Sequence, residues 1–299
     1  MTIDSVAGLS PQMTMERSVT ELLGWARELF EPEARRWVDR LGPKSRQVAG
    51  YQLGWWDASG TPQNVGGQAL RPALVLLCAR AVGGTAEDAV PAAVGAEFVH
   101  AFSLMHDDVM DRDPMRRHRP AAWIVFGTAA ALAAADELMS LAFEGFFRRS
   151  VNVDTACAAA AALGQAIARM ARGQALDLTF AHSDAVTVDQ CLPMEADKTA
   201  SLLAAATRLG ALYGGVTGAA ADRLAAFGEH LGRAAALAEQ AGGRDGAQQR
   251  ASWHLRSALG QLRRQQAAQT YDHATRTASA ELAALARFAV SRASRGPGA

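Results

Sequence analysis

The sequence is poor in cysteine and carries no excess charge of either sign. Its three cysteines, Cys78, Cys157 and Cys191, are widely spaced and form neither a disulfide framework nor a zinc-binding pattern, which favours a reducing, cytoplasmic location. Lysine plus arginine and aspartate plus glutamate each total 30, so the formal net charge is zero. This balance argues against a protein that binds nucleic acid through bulk positive charge.

A secretion signal and a membrane-spanning run are also missing. The first residues, Met-Thr-Ile-Asp-Ser, lack the basic start and the apolar stretch of a signal peptide. The longest uncharged stretch, residues 121–135, is rich in alanine and shorter than the ~20 apolar residues that a membrane helix needs. We therefore expect a cytoplasmic protein without a membrane span.

Helical periodicity dominates what is present, and no convincing run of alternating β-type residues interrupts it, so the sequence predicts an all-α fold. We expect a flexible N-terminus over residues 1–13, one helical domain over 14–293 and a disordered tail over 294–299. The predicted helices span residues 15–41, 71–81, 86–112, 120–149, 154–182 and 187–212, with a linker over 51–67.

Three aspartates stand close together near the end of the predicted helix 86–112. Asp107 and Asp111 are four residues apart, so their carboxylates share one helix face, and Asp108 lies beside Asp111. Like charges at this spacing repel, whereas a bound Mg²⁺ would join such carboxylates to substrate phosphates. On these residues alone, a magnesium–diphosphate site and a solvated acidic helix end both remain open.

The neighbours of the aspartates favour a site. His100 lies two turns before Asp107 on the same face, and the pair Arg116–Arg117 follows Pro114, where the chain must turn. Guanidinium groups suit phosphate because their forked donors bind its oxygens in pairs. Beside three carboxylates and a histidine, these arginines are better explained by anion binding than by a solvated surface.

Four segments resemble motifs of the trans-isoprenyl diphosphate synthases, the polyprenyl synthetase family. Residues 96–120, AEFVHAFSLMHDDVMDRDPMRRHRP, resemble the first aspartate-rich motif of that family. Residues 66–72, GGQALRP, resemble its Gly-Gly-Lys-x-x-Arg-Pro segment, and GQALDL at 173–178, followed by Lys198-Thr199, resembles its middle helices. The resemblance extends from about residue 22 to residue 231, with the motifs in the family's order.

The resemblance implies an isoprenoid-synthase-type helical bundle that condenses an allylic diphosphate with isopentenyl diphosphate, using Mg²⁺. Metal ions and cationic side chains would stabilise the diphosphate that leaves when the allylic C–O bond ionises. The metal ligands implied are Asp107, Asp108 and Asp111. Lys198 and Arg116 would grip the allylic diphosphate, and Gln174, Asp177 and Thr199 would line that side.

The second substrate and the product length are also implied by the resemblance. Arg71, His100 and Arg117 match positions that hold isopentenyl diphosphate. Phe102 lies five residues before Asp107, and an aromatic residue there tends to act as a floor for the growing chain. A product of geranylgeranyl length or shorter is therefore expected if Phe102 has this role, and an ordinary core phenylalanine is the alternative.

Two departures from the family pattern bear on activity. Gln68 stands where the family usually has lysine, which removes a positive charge from the isopentenyl diphosphate site and predicts weaker binding. Residues 227–232, FGEHLG, resemble the lead-in to a helix that carries a second aspartate-rich motif, but no Asp-Asp pair follows Asp111. The bundle is therefore predicted to be shortened by two or three helices in its C-terminal half.

Without the second motif, the diphosphate would be held from one side only, and several functions stay open. The first is an isoprenyl diphosphate synthase with impaired activity. The others are a non-catalytic or regulatory subunit paired with a full-length homologue, a terpene cyclase or diphosphate lyase that acts on an allylic diphosphate alone, and a truncated product without a stable fold. A homodimer, or a heteromer with a full-length homologue, is expected from the family.

Overall fold

Helices account for nearly all of the regular structure in the computed structural model, which describes residues 17–147, 152–180, 188–240, 245–268 and 272–294. The all-α prediction is confirmed. The helices are α1 Val19–Val38, α2 Pro43–Leu53, α3 Leu70–Ala81, α4 Val90–Met110, α5 Ala122–Phe126, α6 Thr128–Gly145, α7 Val153–Phe180, α8 Val188–Glu195, α9 Ser201–Tyr213, α10 Gly218–Gln240, α11 Asp245–Ala267 and α12 His273–Ala293. A short hairpin pairs β1 Met115–Arg116 with β2 Arg119–Pro120.

Local signals in the sequence explain where α1 begins and which face it buries. Ser18 and Glu21 form a capping box, in which each side chain accepts a hydrogen bond from the other residue's backbone N–H. Leu22, Ala26 and Phe30 then repeat at helical spacing and are buried. The predicted helix 15–41 is thus confirmed with a later start and an earlier end, and residues 15–16 lie outside the described part.

The core of the bundle is built around α3 and α4. Residues 72–79 of α3 and 90–99 of α4 are buried throughout, as expected for helices that are covered on all sides. α4 packs against α1, α3, α6 and α9, whereas α10 packs against α9, α11 and α12. The three aspartates therefore stand at the end of a deeply enclosed helix, where the surrounding core fixes their backbone.

Three segments differ from the sequence prediction by more than a shift of a helix end. α2 was not predicted, and its last residues, 51–53, belong to a helix and not to the predicted linker. The predicted helix 120–149 is divided into α5 and α6 at Gly127, whose positive φ of 86° breaks the helical hydrogen-bond ladder. The predicted helix 187–212 contains a π-helical turn, Ala196–Ala200, between α8 and α9.

Several sequence predictions fall outside the described residues. These are the flexible N-terminus at 1–13, the tail at 295–299, and the predicted helix ends at 148–149, 181–182 and 187. Residue 294 is described and closes α12 as its C-cap. Among the described helices, none combines the length and the apolarity that a bilayer span requires.

The contact between α10 and α11 makes stability depend on pH. His230 Nδ1 and His254 Nδ1 lie 3.1 Å apart, so the pair can share a hydrogen bond only while one ring is neutral. Burial, His230 and then Arg233 lower the pKa of His254 from 6.5 to about 4, whereas Glu229 opposes this shift; burial also lowers the pKa of His230. Below about pH 6.5 the unfolded chain binds these protons more readily than the folded chain does. The free energy of unfolding therefore has its full value above about pH 6.5 and decreases as the pH falls towards 4.

We expect acidification from neutral pH to about pH 5 to lower the free energy of unfolding by about 1–2 kcal/mol through this pair, with screening by solvent at the half-buried rings included. Urea unfolding at both pH values measures the loss. In the double variant His230→Gln/His254→Gln the loss should shrink, whereas His273→Gln, at an exposed position, should retain it. An unchanged pH slope in the double variant would contradict the assignment.

Candidate functional site

Asp108 and Arg116 form a buried ion pair at the end of α4. Asp108 is 1% exposed, and its Oδ1 accepts a hydrogen bond from Arg116 Nε at 2.7 Å and another from Arg116 Nη2. Its second oxygen, Oδ2, is buried without a hydrogen-bond partner. Burial raises the pKa of Asp108, whereas the hydrogen bond from Arg116 opposes that rise. The hairpin that follows α4 thus turns Arg116 back onto this helix.

Asp107 and Asp111 face residues from α7 and from the π-helical turn. Gln174 Nε2 donates to Asp111 Oδ1 at 2.7 Å, and Lys198 Nζ lies 4.0 Å from Asp111 Oδ2. Lys198 also donates to Asp177 Oδ2. Residues predicted for the allylic side therefore converge from separate segments, and we name the following set the acidic cluster: Asp107, Asp108, Asp111, Arg116, Gln174, Asp177 and Lys198.

A glycine explains how Lys198 reaches the acidic cluster. A Cβ atom on Gly173 would lie 2.4 Å from the backbone N of Lys198, so a side chain at this position would force the two segments apart. The π-helical turn holds Lys198 against this glycine and directs its side chain towards Asp177. π-helical turns inside α-helical segments occur frequently at functional sites.

The electrostatics of the acidic cluster suit a cation. Burial raises the pKa of Asp107 to about 6, and the charges of Asp111 and Asp108 add to the rise while Lys198 opposes it. Burial alone would lower the pKa of Lys198, but the hydrogen bond to Asp177 and the charge of Asp107 outweigh it, so the pKa is raised. Crowded carboxylates with a raised pKa are costly to ionise, and a divalent cation would remove that cost.

The carboxylates offer a partial coordination shell. Within the described ranges, no three His, Cys, Asp or Glu side chains converge closely enough to hold a metal by themselves. Mg²⁺ commonly takes only one or two protein carboxylates and completes its shell with water and substrate phosphates. Asp107 and Asp111 fit that donor set, whereas Asp108 is engaged by Arg116, so its role as a third ligand stays a prediction.

An apolar cavity of about 160 Å³ opens beside Asp107. Its walls include Phe102 and Met110 from α4 and Ile167 and Met170 from α7. The Phe102 ring packs against the ring of His106, with 4.3 Å between centroids. The predicted position of Phe102 below the acidic cluster is therefore consistent with this cavity, and its role as a floor stays a prediction.

A second cavity, of about 350 Å³, is lined by basic residues, and we name it the basic pocket. It lies where the start of α3, the middle of α4 and the hairpin meet. Among its lining residues are Gln68, Arg71, Glu97, His100, Arg117, His118 and Arg292. The four residues predicted for isopentenyl diphosphate thus line one cavity, with Gln68 exposed.

The backbone around the basic pocket is strained. Ala69, Arg117 and His118 have positive φ values of 59°, 51° and 60°, a conformation that side chains disfavour. A Cβ on Gly67 would lie 2.8 Å from the Arg117 guanidinium, so the glycine segment packs directly beneath that side chain. Strain of this kind persists where the surrounding fold imposes it and clusters at ligand-binding sites.

The basic pocket holds unsatisfied positive charge. Arg71 Nε is buried without a hydrogen-bond partner, and burial lowers the pKa of Arg71 to about 10, against the opposing charge of Glu97. Burial, Arg71 and Arg117 together lower the pKa of His100 well below its usual value. An anion in the pocket would satisfy the free donor and offset the repulsion between the two arginines.

Three site features were missed by the sequence analysis or differ from it. Glu97, buried beside Arg71, was missed, although it stands one helical turn before His100. Arg292 was missed because α12 meets the pocket only through tertiary packing. Thr199 Oγ1 donates to Glu195 at 3.4 Å, one turn back along the helix, and its predicted part in substrate binding stays a prediction.

Comparisons with known proteins agree with this architecture. A sequence model described as polyprenyl synthetase matches residues 58–237. The (2E,6E)-farnesyl diphosphate synthase of Mycobacterium tuberculosis H37Rv is 43% identical over 240 residues, which cover 79% of this chain and 66% of that protein. A geranylgeranyl diphosphate synthase of Methanosarcina mazei is 37% identical over 195 residues, or 65% of this chain and 59% of that protein.

A solved structure gives the same result for the fold. The crystal structure of a polyprenyl synthetase from Streptomyces coelicolor A3(2) superimposes with a TM-score of 0.81 at 33% identity, covering 91% of this chain and all of that one. The sequence match to the mycobacterial farnesyl diphosphate synthase, in comparison, spans 66% of that protein's length.

Proposed function

The chain belongs to the polyprenyl synthetase family, and from this premise we propose that it is a Mg²⁺-dependent isoprenyl diphosphate synthase. It would condense an allylic diphosphate with isopentenyl diphosphate. The observation that carries the proposal is the placement of the basic pocket and the acidic cluster on one helix. His100 in the basic pocket and Asp107 in the acidic cluster are seven residues apart, or about 10 Å along the axis of α4.

The acidic cluster would bind and ionise the allylic diphosphate. Asp107 and Asp111 would hold Mg²⁺, which when bound supplies positive charge to the leaving diphosphate. Lys198 Nζ, within 4.0 Å of Asp111, and N–H groups of Arg116 beyond those that bind Asp108 would donate to the same oxygens. Charge that develops on the diphosphate as the C–O bond breaks would thus meet donors already in place.

The basic pocket would hold isopentenyl diphosphate with its alkene towards the acidic cluster. Arg71 Nε and the Arg117 guanidinium would donate to its diphosphate, and the ring of His100 would donate one further N–H. The apolar walls of the neighbouring cavity, Phe102 and Met170 among them, would keep water away from the carbocation.

We also propose that the lone chain turns over slowly. No Asp-Asp pair follows Asp111 in the sequence, and the part of the chain that the structure describes holds no separate group of three metal-ligating side chains. With carboxylates on one side only, fewer ligands would hold the metal–diphosphate complex.

The test is turnover by the purified chain with Mg²⁺, labelled isopentenyl diphosphate and a series of allylic diphosphates. We expect elongated product that disappears when the metal is chelated. Diphosphate release without isopentenyl diphosphate would instead indicate a cyclase or lyase. A folded chain that elongates only after a full-length homologue is added would indicate a subunit.

Replacing Phe102 by alanine should lengthen the product by one or more isoprene units. The change removes an aromatic wall from the cavity beside Asp107, and the growing chain would extend into the space. Mass spectrometry of the products measures the effect. Phe143→Ala removes the same ring from α6, where it packs against Phe146 outside that cavity, and should leave product length unchanged. Equal product lengths in the Phe102 variant and the wild type would refute this role.

A further inference from the structure

The π-helical turn that carries Lys198 lies between two glycines of neighbouring helices. Gly173 of α7 faces it from one side, where a Cβ atom would lie 2.4 Å from the backbone N of Lys198. Gly232 of α10 faces it from the other side, where a Cβ atom would lie 2.4 Å from Cα of Ala200. Close packing on both sides prevents the turn from moving sideways. A glycine has no side chain that opposes sliding, so the position of the turn along the helices depends on other contacts.

Arg169 supplies such contacts, because its guanidinium joins α7, the π-helical turn and α10. Its Nε donates to Asp197 Oδ1 in the turn at 2.8 Å, and Nη2 donates to Ala196 O at 3.3 Å. Nη1 and Nη2 also donate to the two carboxylate oxygens of Glu229 in α10, at 2.9 and 3.0 Å. Arg169 precedes Gly173 by one helical turn, so these ion pairs lie beside the glycine contact. We name Arg169, Asp197 and Glu229 the arginine clamp.

The charges of the arginine clamp favour one fixed geometry. The side chains of Asp197 and Glu229 are each 20% exposed, so solvent screens their ion pairs only in part. Burial would raise the pKa of both carboxyl groups, but hydrogen bonds from Arg169 and neighbouring arginines outweigh it, and both pKa values are lowered. Both groups are therefore ionised at neutral pH. A guanidinium binds carboxylates in a fixed plane, which a lysine ammonium group does not.

Arg169 lies on a different face of α7 from the acidic cluster. Met170 of the same helix lines the apolar cavity beside Asp107, whereas Arg169 lines a separate groove formed by α7, α9 and α10. An effect of Arg169 on a ligand of the acidic cluster would therefore be indirect. Lys198 provides the connection, because it directly follows Asp197 in the chain, and a shift of Asp197 would move Lys198 with it.

We propose that Arg169 is a positioning residue for the allylic diphosphate, and that it acts by holding the π-helical turn so that Lys198 meets this ligand. The inference rests on the proposed function, because that function assigns the allylic diphosphate to the acidic cluster. It also gives α10 an indirect part in binding, since Glu229 orients the guanidinium that holds the turn.

A double-mutant cycle tests whether Arg169 acts through Lys198. Inorganic pyrophosphate is titrated calorimetrically, with Mg²⁺, into the full-length wild type, R169Q, K198Q and R169Q/K198Q. Slight misplacement of a binding group by a distant mutation can cost a factor on the order of 10², so we expect R169Q to weaken the Kd by about 10- to 100-fold. In the K198Q background the same change should alter the Kd by less than about twofold, because the group that Arg169 positions is already gone.

The same titration without Mg²⁺ is an internal control. The acidic cluster then repels the anion, and the basic pocket is the site left to bind it. This Kd should be the same for the wild type and R169Q. In turnover, R169Q should raise the KM for the allylic diphosphate and leave the KM for isopentenyl diphosphate unchanged. A merely structural role would affect both substrates.

The matched control variant is R172Q. Arg172 lies on the same helix and donates to Asp197 at 3.0 Å, but its side chain is 62% exposed, so solvent screens its ion pair. Its Kd should stay close to that of the wild type. R169K keeps the charge without the planar donors and should restore only part of the affinity. D197N cuts the connection to the turn but keeps the pair between Arg169 and Glu229, so it tests the proposal even where R169Q does not fold.

The outcomes separate this inference from the proposed function. Elongation by a wild-type chain, with R169Q and D197N unchanged in Kd and in the KM for the allylic diphosphate, overturns the inference and leaves the function standing. Equal losses in the wild-type and K198Q backgrounds also overturn it, because Arg169 would then not act through Lys198. Binding that depends on Arg169 through Lys198, in a chain that elongates nothing, overturns the function and supports the inference. A wild-type chain that does not bind pyrophosphate with Mg²⁺ overturns both.

Discussion

Asp107→Asn should lower Mg²⁺-dependent turnover by a factor on the order of 10²–10³, the loss typical when one group that stabilises developing charge is removed. The introduced amide is nearly isosteric with the carboxylate but neutral, so one of the two carboxylates best placed for the metal would be lost. Steady-state kinetics across a Mg²⁺ titration would measure the effect, with a higher metal requirement expected alongside the lower kcat.

The same variant should be at least as stable as the wild type, although it is less active. In the wild type, the folded-state pKa of Asp107 is raised to about 6, so above that pH the ionised carboxylate disfavours the folded state. The asparagine removes this cost, and the Tm of the metal-free variant at neutral pH should equal or exceed that of the wild type. Low activity with a retained Tm would thus distinguish a lost ligand from a damaged fold.

Asp113→Asn is the matched control for this prediction. Asp113 follows α4 by three residues, is exposed, and contacts Arg116 only at 3.6 Å. Its replacement by asparagine removes the same negative charge near the site, but Asp113 lies outside the acidic cluster. Equal turnover in the Asp107 and Asp113 variants would refute the proposed metal site.

Gly173→Ala should both destabilise the fold and impair the allylic side. The new Cβ would lie 2.4 Å from the Lys198 backbone N, and backbone cannot rotate away as a flexible side chain can. Overpacking of this kind costs about 1–3 kcal/mol. As α7 and the π-helical turn separate, Lys198 should lose its place beside Asp177 and Asp111, and the KM for the allylic diphosphate should rise.

Gly164→Ala provides the control on the same helix. A Cβ at Gly164 meets nothing within 4 Å, so the substitution should be neutral or should stabilise α7 by up to about 1 kcal/mol through helix propensity. Urea unfolding and allylic-substrate kinetics on both variants measure the contrast. Equal stability and equal kinetics in the Gly173→Ala and Gly164→Ala variants would refute the role of Gly173 in positioning Lys198.

Much of the fold and part of the site could be predicted from local patterns. Pro72 near the first helical turn and the apolar run after it predicted a helix over 71–81, and α3 spans Leu70–Ala81. The placement of Asp107 and Asp111 on one face followed from helical spacing alone. Motif resemblance correctly identified the family, which the match over residues 58–237 confirms.

Other features depended on contacts that have no local signal. The commitment of Asp108 to Arg116 requires the hairpin turn, whose strained Arg117 and His118 no periodicity predicts. The π-helical turn at Lys198 depends on the packing surface that Gly173 provides. Arg292 and the rest of the basic pocket are separated by most of the chain, and only the docking of α12 on α3 connects them.

The sequence by itself therefore determined the helical class, the family and the chemical types of the candidate site residues. These properties follow from local periodicity, capping and motif spacing, which act over a few residues. Only the tertiary structure decided which carboxylate pairs with Arg116, how Lys198 enters the acidic cluster and which arginine joins the basic pocket from the C-terminal helix. The physical reason is that burial, ion pairing and close backbone approach arise between helices that are distant in sequence, and their packing selects one arrangement among many that the local patterns allow.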